Sequence, residues 1–136
     1  MKKLSFLLAD DDSDDCEFFQ QAMDELSPDA VLKIVNDGRT AIEYLDTCHD
    51  DLLPCALILD YNMPLLNGPG VLDWLCGKPR YNGIDKFIWS TAGQPEYVDG
   101  CLGKGAIKYF VKPSNDSGTL EIAREIISFC IPEPIL

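Results

Sequence analysis

Five short apolar runs, Leu4–Ala9, Val31–Val35, Ala56–Leu59, Phe87–Trp89 and Ile107–Val111, alternate along the chain with stretches whose apolar residues recur at helical spacing. Runs this short suit strands rather than helices, and near-continuous apolarity at Leu4 and Ala56 predicts strands covered on both faces. Between them, Phe19, Ala22, Met23 and Leu26 recur at i, i+3, i+4 and i+7, and so do Ala123, Ile126, Ile127 and Cys130. Ala41-Ile42 with Leu45, and Val71-Leu72 with Leu75, mark shorter helices. The weakest helical pattern spans 95–104, where Gly100 and Gly103 each cost about 1 kcal/mol relative to Ala. Strict alternation of strand and helix predicts a parallel sheet with right-handed crossovers and helices on both faces, a three-layer α/β domain. A length of 136 residues fits one domain. The pattern places its core at about 4–130, with a short C-terminal tail, 131–136, outside it.

The first apolar run leads directly into five aspartates within six residues, Asp10 to Asp15 around Ser13. That acidity is incompatible with a secretory cleavage site, so a cytoplasmic protein is expected. No apolar run approaches the ~18 residues of a membrane span. The net charge of −12 repels nucleic-acid phosphates and anionic lipid, and the only adjacent basic pair is Lys2-Lys3, so neither nucleic acid nor membrane is an expected partner. The acidic excess is lopsided, 16 Asp to 7 Glu, and Asp gathers at caps, turns and metal sites more than on helix surfaces. Six scattered cysteines without a C-x-x-C pair, and a single histidine, His49, exclude a zinc site on spacing. The thiols read as reduced, small apolar groups of the core, and His49 as a solvated loop residue.

In a parallel sheet of this kind all strands end at one edge, and ligands bind there where the strand order reverses. The strand-ending residues are Asp10-Asp11-Asp12, Asn36-Asp37-Gly38, Asp60, Ser90-Thr91 and Lys112-Pro113. Asn36-Asp37-Gly38 reads most simply as a turn and helix cap. Carboxylates converging at one edge raise one another's pKa unless a cation lies among them, and a hard divalent ion such as Mg²⁺ takes one or two carboxylates, waters and a phosphate oxygen. Lys112 can reach a phosphoryl oxygen and a Ser90 or Thr91 hydroxyl can donate to another. Carboxylate nucleophile, metal, lysine and hydroxyl together suit phosphoryl transfer through an aspartyl-phosphate.

Phe6-Leu7-Leu8-Ala9-Asp10-Asp11-Asp12, then Leu57-Ile58-Leu59-Asp60-Tyr61-Asn62-Met63-Pro64 with Asn67-Gly68, then Ser90, then Gly105-Ala106, Tyr109 and Lys112-Pro113 resemble the receiver domain of two-component response regulators over roughly 4–130. The resemblance implies a flavodoxin-like fold with a five-stranded parallel sheet in the order 2-1-3-4-5. It implies Asp60 as phosphoacceptor, Asp11 as a direct Mg²⁺ ligand, Asp10 as a ligand acting largely through water, and the Asn62 backbone carbonyl completing the metal sphere. Lys112 would be the phosphate-binding lysine, Ser90 the switch hydroxyl and Tyr109 the switch aromatic. Counting back from Lys112 through Tyr109 and Gly105-Ala106 selects Ser90 over its neighbour Thr91, which stays open as the alternative. The Lys112-Pro113 bond is a candidate cis peptide that would aim the lysine inward. The implied partners are a histidine kinase or histidine phosphotransfer protein and a downstream protein, with oligomeric state undetermined. The chain would not be an enzyme, beyond assisting its own phosphorylation and dephosphorylation. With no output domain expected in this length, the signal would leave through the helix 4–strand 5–helix 5 face or onward in a phosphorelay.

Other readings of the same residues are weaker. Asp12, Asp14 and Asp15 are expected as cap and first-turn residues of the first helix, where negative charge complements the dipole. A calcium loop from Asp10-x-Asp12-x-Asp14 fails, because Asp15 stands where its glycine is needed and Gln21 where its bidentate glutamate should be. A small aspartate-nucleophile phosphatase would use Asp10 and leave Asp60-Tyr61-Asn62-Met63-Pro64 unexplained. A receiver-like binding module that signals without phosphorylation is the remaining alternative. Two departures from the family pattern are Thr91, bulkier than the small residue usual there, and the glycines 100, 103 and 105, which soften the fourth helix.

Overall fold

The computed structural model describes residues 4–131; Lys2-Lys3 and the expected tail beyond Ile131 lie outside them. Strands β1 (Ser5–Ala9), β2 (Val31–Val35), β3 (Ala56–Asp60), β4 (Asp85–Ser90) and β5 (Lys108–Val111) alternate with helices α1 (Ser13–Leu26), α2 (Gly38–Thr47), α3 (Gly68–Leu75), α4 (Pro95–Gly103) and α5 (Asp116–Cys130). All strand pairs are parallel and the order is β2-β1-β3-β4-β5, the flavodoxin-like topology. No helix among the described residues is long and apolar enough to cross a membrane.

Strand periodicity builds the two flanking layers. Leu7, Ala9, Leu57, Leu59 and Ile88 face Ala41 and Leu45 of α2, Val71, Leu72 and Leu75 of α3, and Cys101 of α4. Their neighbours Phe6, Leu8, Ala56, Ile58, Phe87 and Trp89 face Phe19, Ala22 and Met23 of α1 and Ala123, Ile126 and Ile127 of α5. β3 lies at the centre of the sheet with every residue buried, the reason its run has no polar alternation. β2 is an edge strand, with Val31 and Lys33 exposed and Leu32 and Ile34 only partly buried.

Differences from the expected boundaries have local causes. β4 begins at Asp85, ahead of its apolar run, because Asp85 N–H pairs with the Cys55 carbonyl at 3.0 Å and opens the ladder with β3. β5 begins at Lys108, while Ile107 stays exposed and only donates its N–H to Lys86. Four helices have an aspartate or asparagine at the N-cap: Asp12, Asp37, Asn67 and Asn115 accept from Asp15, Thr40, Gly70 and Gly118 N–H. Helix α4 has no side-chain cap and buries only Cys101, consistent with the glycine-softened pattern. The thiols are all free, but only Cys16 and Cys101 are buried; Cys76 is exposed, which corrects the uniform core reading. Cys76 follows α3 at a turn where the chain leaves the sheet face, so its apolar neighbours do not carry it inward. His49 is exposed, as expected.

Gly68 packs directly against backbone behind the sheet edge. A Cβ there would stand 2.5 Å from the Asp60 carbonyl oxygen and 3.2 Å from Ile88 Cδ1. Gly68→Ala is therefore expected to destabilise the fold by about 1–3 kcal/mol, measured by urea unfolding, because backbone must move to admit one methyl.

Candidate functional site: an acidic cluster around Lys112

The strand order reverses direction between β1 and β3, and the crevice this opens is flanked by the residues that end those two strands. Asp10 directly follows β1 and is fully buried. Its N–H donates to Val35 O at 3.0 Å, extending the β1–β2 pairing by one residue and turning its side chain into the crevice. Its carbonyl accepts from Asn36 Nδ2 at 3.1 Å and from Cys16 Sγ at 3.4 Å. Its carboxylate Oδ1 accepts from Asp12 N–H at 2.9 Å. Asp60, the last residue of β3, is also buried and lies opposite Trp89 in the ladder to β4. Asp11 is exposed, yet Asp10, Asp11 and Asp60 each offer a carboxylate oxygen within 4.8 Å of the other two.

Lys112 crosses this cluster. Its N–H donates to Ser90 O at 2.8 Å, continuing the β4–β5 pairing past Val111. Its side chain is 7% exposed, with Nζ 2.9 Å from Asp10 Oδ2, 2.8 Å from Asp15 Oδ2 and 3.1 Å from Asp60 Oδ2. The same nitrogen stands 5.1 Å from the Trp89 ring centroid, within cation–π range. The peptide bonds of the described residues are all trans, so the expected cis Lys112-Pro113 bond is not present. The extended β5 ladder and three carboxylates already aim the lysine inward.

The electrostatics are those of a site short of positive charge. Burial, followed by the Asp60 charge, pushes the Asp10 carboxyl up to about 7, against the opposing Asp12 N–H and Lys112. Burial pulls the Lys112 ammonium down, but the hydrogen bond to Asp15 and the close Asp10 carboxylate outweigh it and hold the group above its ordinary value. Asp10 Oδ2 receives no hydrogen bond of acceptable geometry although Nζ is close, so that contact is coulombic only. A buried, unbonded carboxylate oxygen among three converging carboxylates fits a hard, oxygen-preferring divalent cation.

At the neighbouring edge, Ser90 is buried and its Oγ accepts from Ala92 N–H at 3.2 Å, whereas Thr91 is exposed. Tyr109 is half-buried, and its hydroxyl donates to the Ala92 carbonyl in the loop joining β4 to α4. Asn62, two residues past Asp60, is exposed in the loop before α3. That loop also holds Leu65 with φ of 68°, a left-handed conformation that a leucine adopts only under constraint.

Three residues in the cluster were not anticipated there. Asp15, expected only in the first turn of α1, does sit in that turn but also pairs with Lys112. It stands five positions after Asp10, and the cap at Asp12 folds the chain back so that both face the same ammonium. Asn36, expected as a turn residue, braces the Asp10 carbonyl; its position just past Val35, the register partner of Ala9, was the available signal. Trp89 lay inside an apolar run, and nothing in that run separates core packing from contact with Lys112.

The chain matches the family model described as "Response regulator receiver domain" over residues 6–124. It is 27% identical over 126 residues to the two-component response regulator ARR8 of Arabidopsis thaliana, covering 82% of this chain and 55% of that protein, so it spans about half the relative's length. Among solved structures it is similar to the phosphorylated cyanobacterial phytochrome response regulator RcpA, with TM-score 0.84, 23% identity and 93% of each chain covered. The Mn²⁺-bound response regulator Rcp1 matches with TM-score 0.83 and 23% identity over 98% of each chain. The response regulator RPA3017 of R. palustris matches with TM-score 0.82 and 24% identity over 98% and 99%. At these identities the solved structures speak for the fold, while the family model covers most of the chain: the protein belongs to the response regulator receiver domain family of two-component systems.

Proposed function

We propose that this receiver domain, spanning the chain as a single unit in the cytoplasm, accepts a phosphoryl group on Asp60 from the phosphohistidine of a sensor kinase or histidine phosphotransfer protein. The observation that supports this best is the meeting of Asp10, Asp11, Asp60 and Lys112 in one crevice at the β1–β3 switch point. An Asp60 carboxylate oxygen attacks phosphorus, the N–P bond of the donor breaks, and the imidazole leaves. The Lys112 ammonium, already on Asp60 Oδ2, shifts to a phosphoryl oxygen and neutralises charge there. Carboxylates of Asp10, Asp11 and Asp60 with the Asn62 backbone carbonyl would hold Mg²⁺, which supplies further neutralisation of the transferring group. The Ser90 hydroxyl then donates to the bound phosphoryl group, releasing its acceptor role toward Ala92 N–H. Tyr109, tied to the same Ala92, follows, and the α4–β5–α5 face changes shape for a downstream protein.

Incubation with Mg²⁺ and acetyl phosphate or phosphoramidate is expected to add one phosphoryl group per chain, read by intact mass. Asp60→Asn, or chelation of Mg²⁺, abolishes the addition. Phosphorylation that persists in Asp60→Asn, or a wild type that never labels, overturns the assignment. Hydrolytic turnover of a phosphate ester that depends on Asp10 and not Asp60 would point instead to a phosphatase.

A further inference from the structure

Lysine is a compact charge on a flexible four-carbon stem, so a lysine that stabilises a transition state has to be held at both ends. The backbone end of Lys112 is fixed by the N–H it donates to Ser90 O at 2.8 Å, and the Trp89 ring lies 5.1 Å from its Nζ. The charged end is held by the carboxylates of Asp10, Asp15 and Asp60. Two of these three have another task under the function proposed above, on which this inference rests. Asp10 belongs with Asp11 and Asp60 to the group that would hold Mg²⁺, and Asp60 is also the nucleophile. Asp15 lies outside that group and makes the shortest contact of the three, 2.8 Å from Nζ with hydrogen-bond geometry.

The position of Asp15 is itself fixed. Its N–H donates to Asp12 Oδ1 at 3.0 Å in the first turn of α1, and the buried side chains of Cys16 and Phe19 seat that helix on the sheet. Phe19 meets Trp89 edge to face with ring centroids 5.3 Å apart, so one indole sets both the seat of α1 and the place of the ammonium. A cavity of about 130 Å³ bounded by Asp15, Phe18, Trp89, Lys112 and Thr119 opens on this side, and neither Asp10 nor Asp60 lines it. The Asp15 contact therefore does not have to open for phosphorus to reach Asp60.

We propose that Asp15 is a positioning residue for phosphoryl transfer, holding the Lys112 ammonium at a fixed point while the lysine exchanges Asp60 Oδ2 for a phosphoryl oxygen. One N–H of the ammonium stays on Asp15 Oδ2 and a second turns from Asp60 to the phosphoryl oxygen; no proton leaves the lysine. Without Asp15 the ammonium settles between Asp10 and Asp60, where it covers the nucleophile and competes with a cation for Asp10.

The test compares initial rates of Asp60 phosphorylation by acetyl phosphate at saturating Mg²⁺ in wild type, Asp15→Ala, Asp15→Asn, Lys112→Met and the Asp15→Ala/Lys112→Met double variant. Asp15→Ala is expected to slow labelling about tenfold, as when a reacting group loses its alignment. Asp15→Asn keeps an acceptor oxygen at the same reach and restores most of the lost rate. In the Lys112→Met background Asp15→Ala costs nothing further, because no ammonium remains to be positioned. A second readout needs neither donor nor metal: the side-chain ¹H–¹⁵N signal of the Lys112 ammonium, identified by its loss in Lys112→Met, broadens in Asp15→Ala. Asp15→Ala as fast as wild type, an equal slowing in the Lys112→Met background, Asp15→Asn as slow as Asp15→Ala, or an ammonium signal unchanged in Asp15→Ala would each overturn the proposal. A wild type that never labels defeats the phosphoacceptor reading itself, whereas a wild type that labels on Asp60 beside an unaffected Asp15→Ala defeats this inference alone.

Discussion

Lys112→Met is expected to reduce metal-free stability at pH 8 by about 3–5 kcal/mol, the usual effect of removing one partner from a buried ionic group. Methionine keeps an apolar stem against Trp89 and deletes the ammonium, so the loss reports charge more than packing. Three carboxylates, of Asp10, Asp15 and Asp60, would then face one another without a counter-charge. Urea unfolding with and without Mg²⁺ separates the causes: a divalent cation among the carboxylates should recover most of the loss. Phosphorylation by a small-molecule donor should fall about a hundredfold even with Mg²⁺ saturating, as when one preorganised charge is removed from a transition state. A Lys112→Met protein as stable as wild type without Mg²⁺ would mean that the ammonium is not the counter-charge of the cluster. The intrinsic fluorescence of Trp89, 5.1 Å below that ammonium, should change in the same variant and in wild type as the lysine shifts to a phosphoryl group.

The dependence on one lysine also explains which parts of the site could be read from the chain and which could not. β1 and β3 carry near-continuous apolar runs and β5 a shorter, interrupted one, all stopping at charged residues, and in a parallel sheet those stops fall at one edge. Asp10, Asp60 and Lys112 were therefore legible from strand ends alone, and the sheet order followed from the resemblance those residues carry. Asp15 was legible only in part. Its place in the first turn of α1 satisfies a helix-dipole reading completely, and its second contact depends on where the helix axis points, which spacing does not encode. Trp89 is a stronger case, since alternation along β4 puts it on the α1 and α5 side, but its proximity to Lys112 is a matter of side-chain reach across two strands. Residues that end elements were thus visible, whereas residues that act through length and rotamer from inside an element were not.

The metal-free chain should become less stable as pH rises from about 4 to 7, opposite to the usual behaviour of a carboxylate paired in the native state. The Asp10 carboxyl is raised from 3.8 to about 7 in the fold, chiefly by burial, so between those values the native state holds a proton that the unfolded chain has released. Stability from this group is fully present below the unfolded value and is lost as pH climbs through the folded one, with a slope of at most about 1.4 kcal/mol per pH unit. Asp10→Asn removes the slope and is expected to stabilise the metal-free protein at pH 8, because the amide keeps an acceptor for Asp12 N–H and buries no charge. The same replacement should abolish most of the stabilisation by Mg²⁺, which requires the ionised carboxylate. In wild type the two equilibria compete for one group: cation binding displaces the proton, so the Mg²⁺-induced rise in thermal midpoint should be small at pH 5.5 and large at pH 8. Thermal unfolding across that range, with and without Mg²⁺, on wild type and Asp10→Asn decides it. A metal-free stability that climbs steadily from pH 4 to 7, and a Mg²⁺ shift indifferent to pH, would show that Asp10 is ionised in the fold throughout.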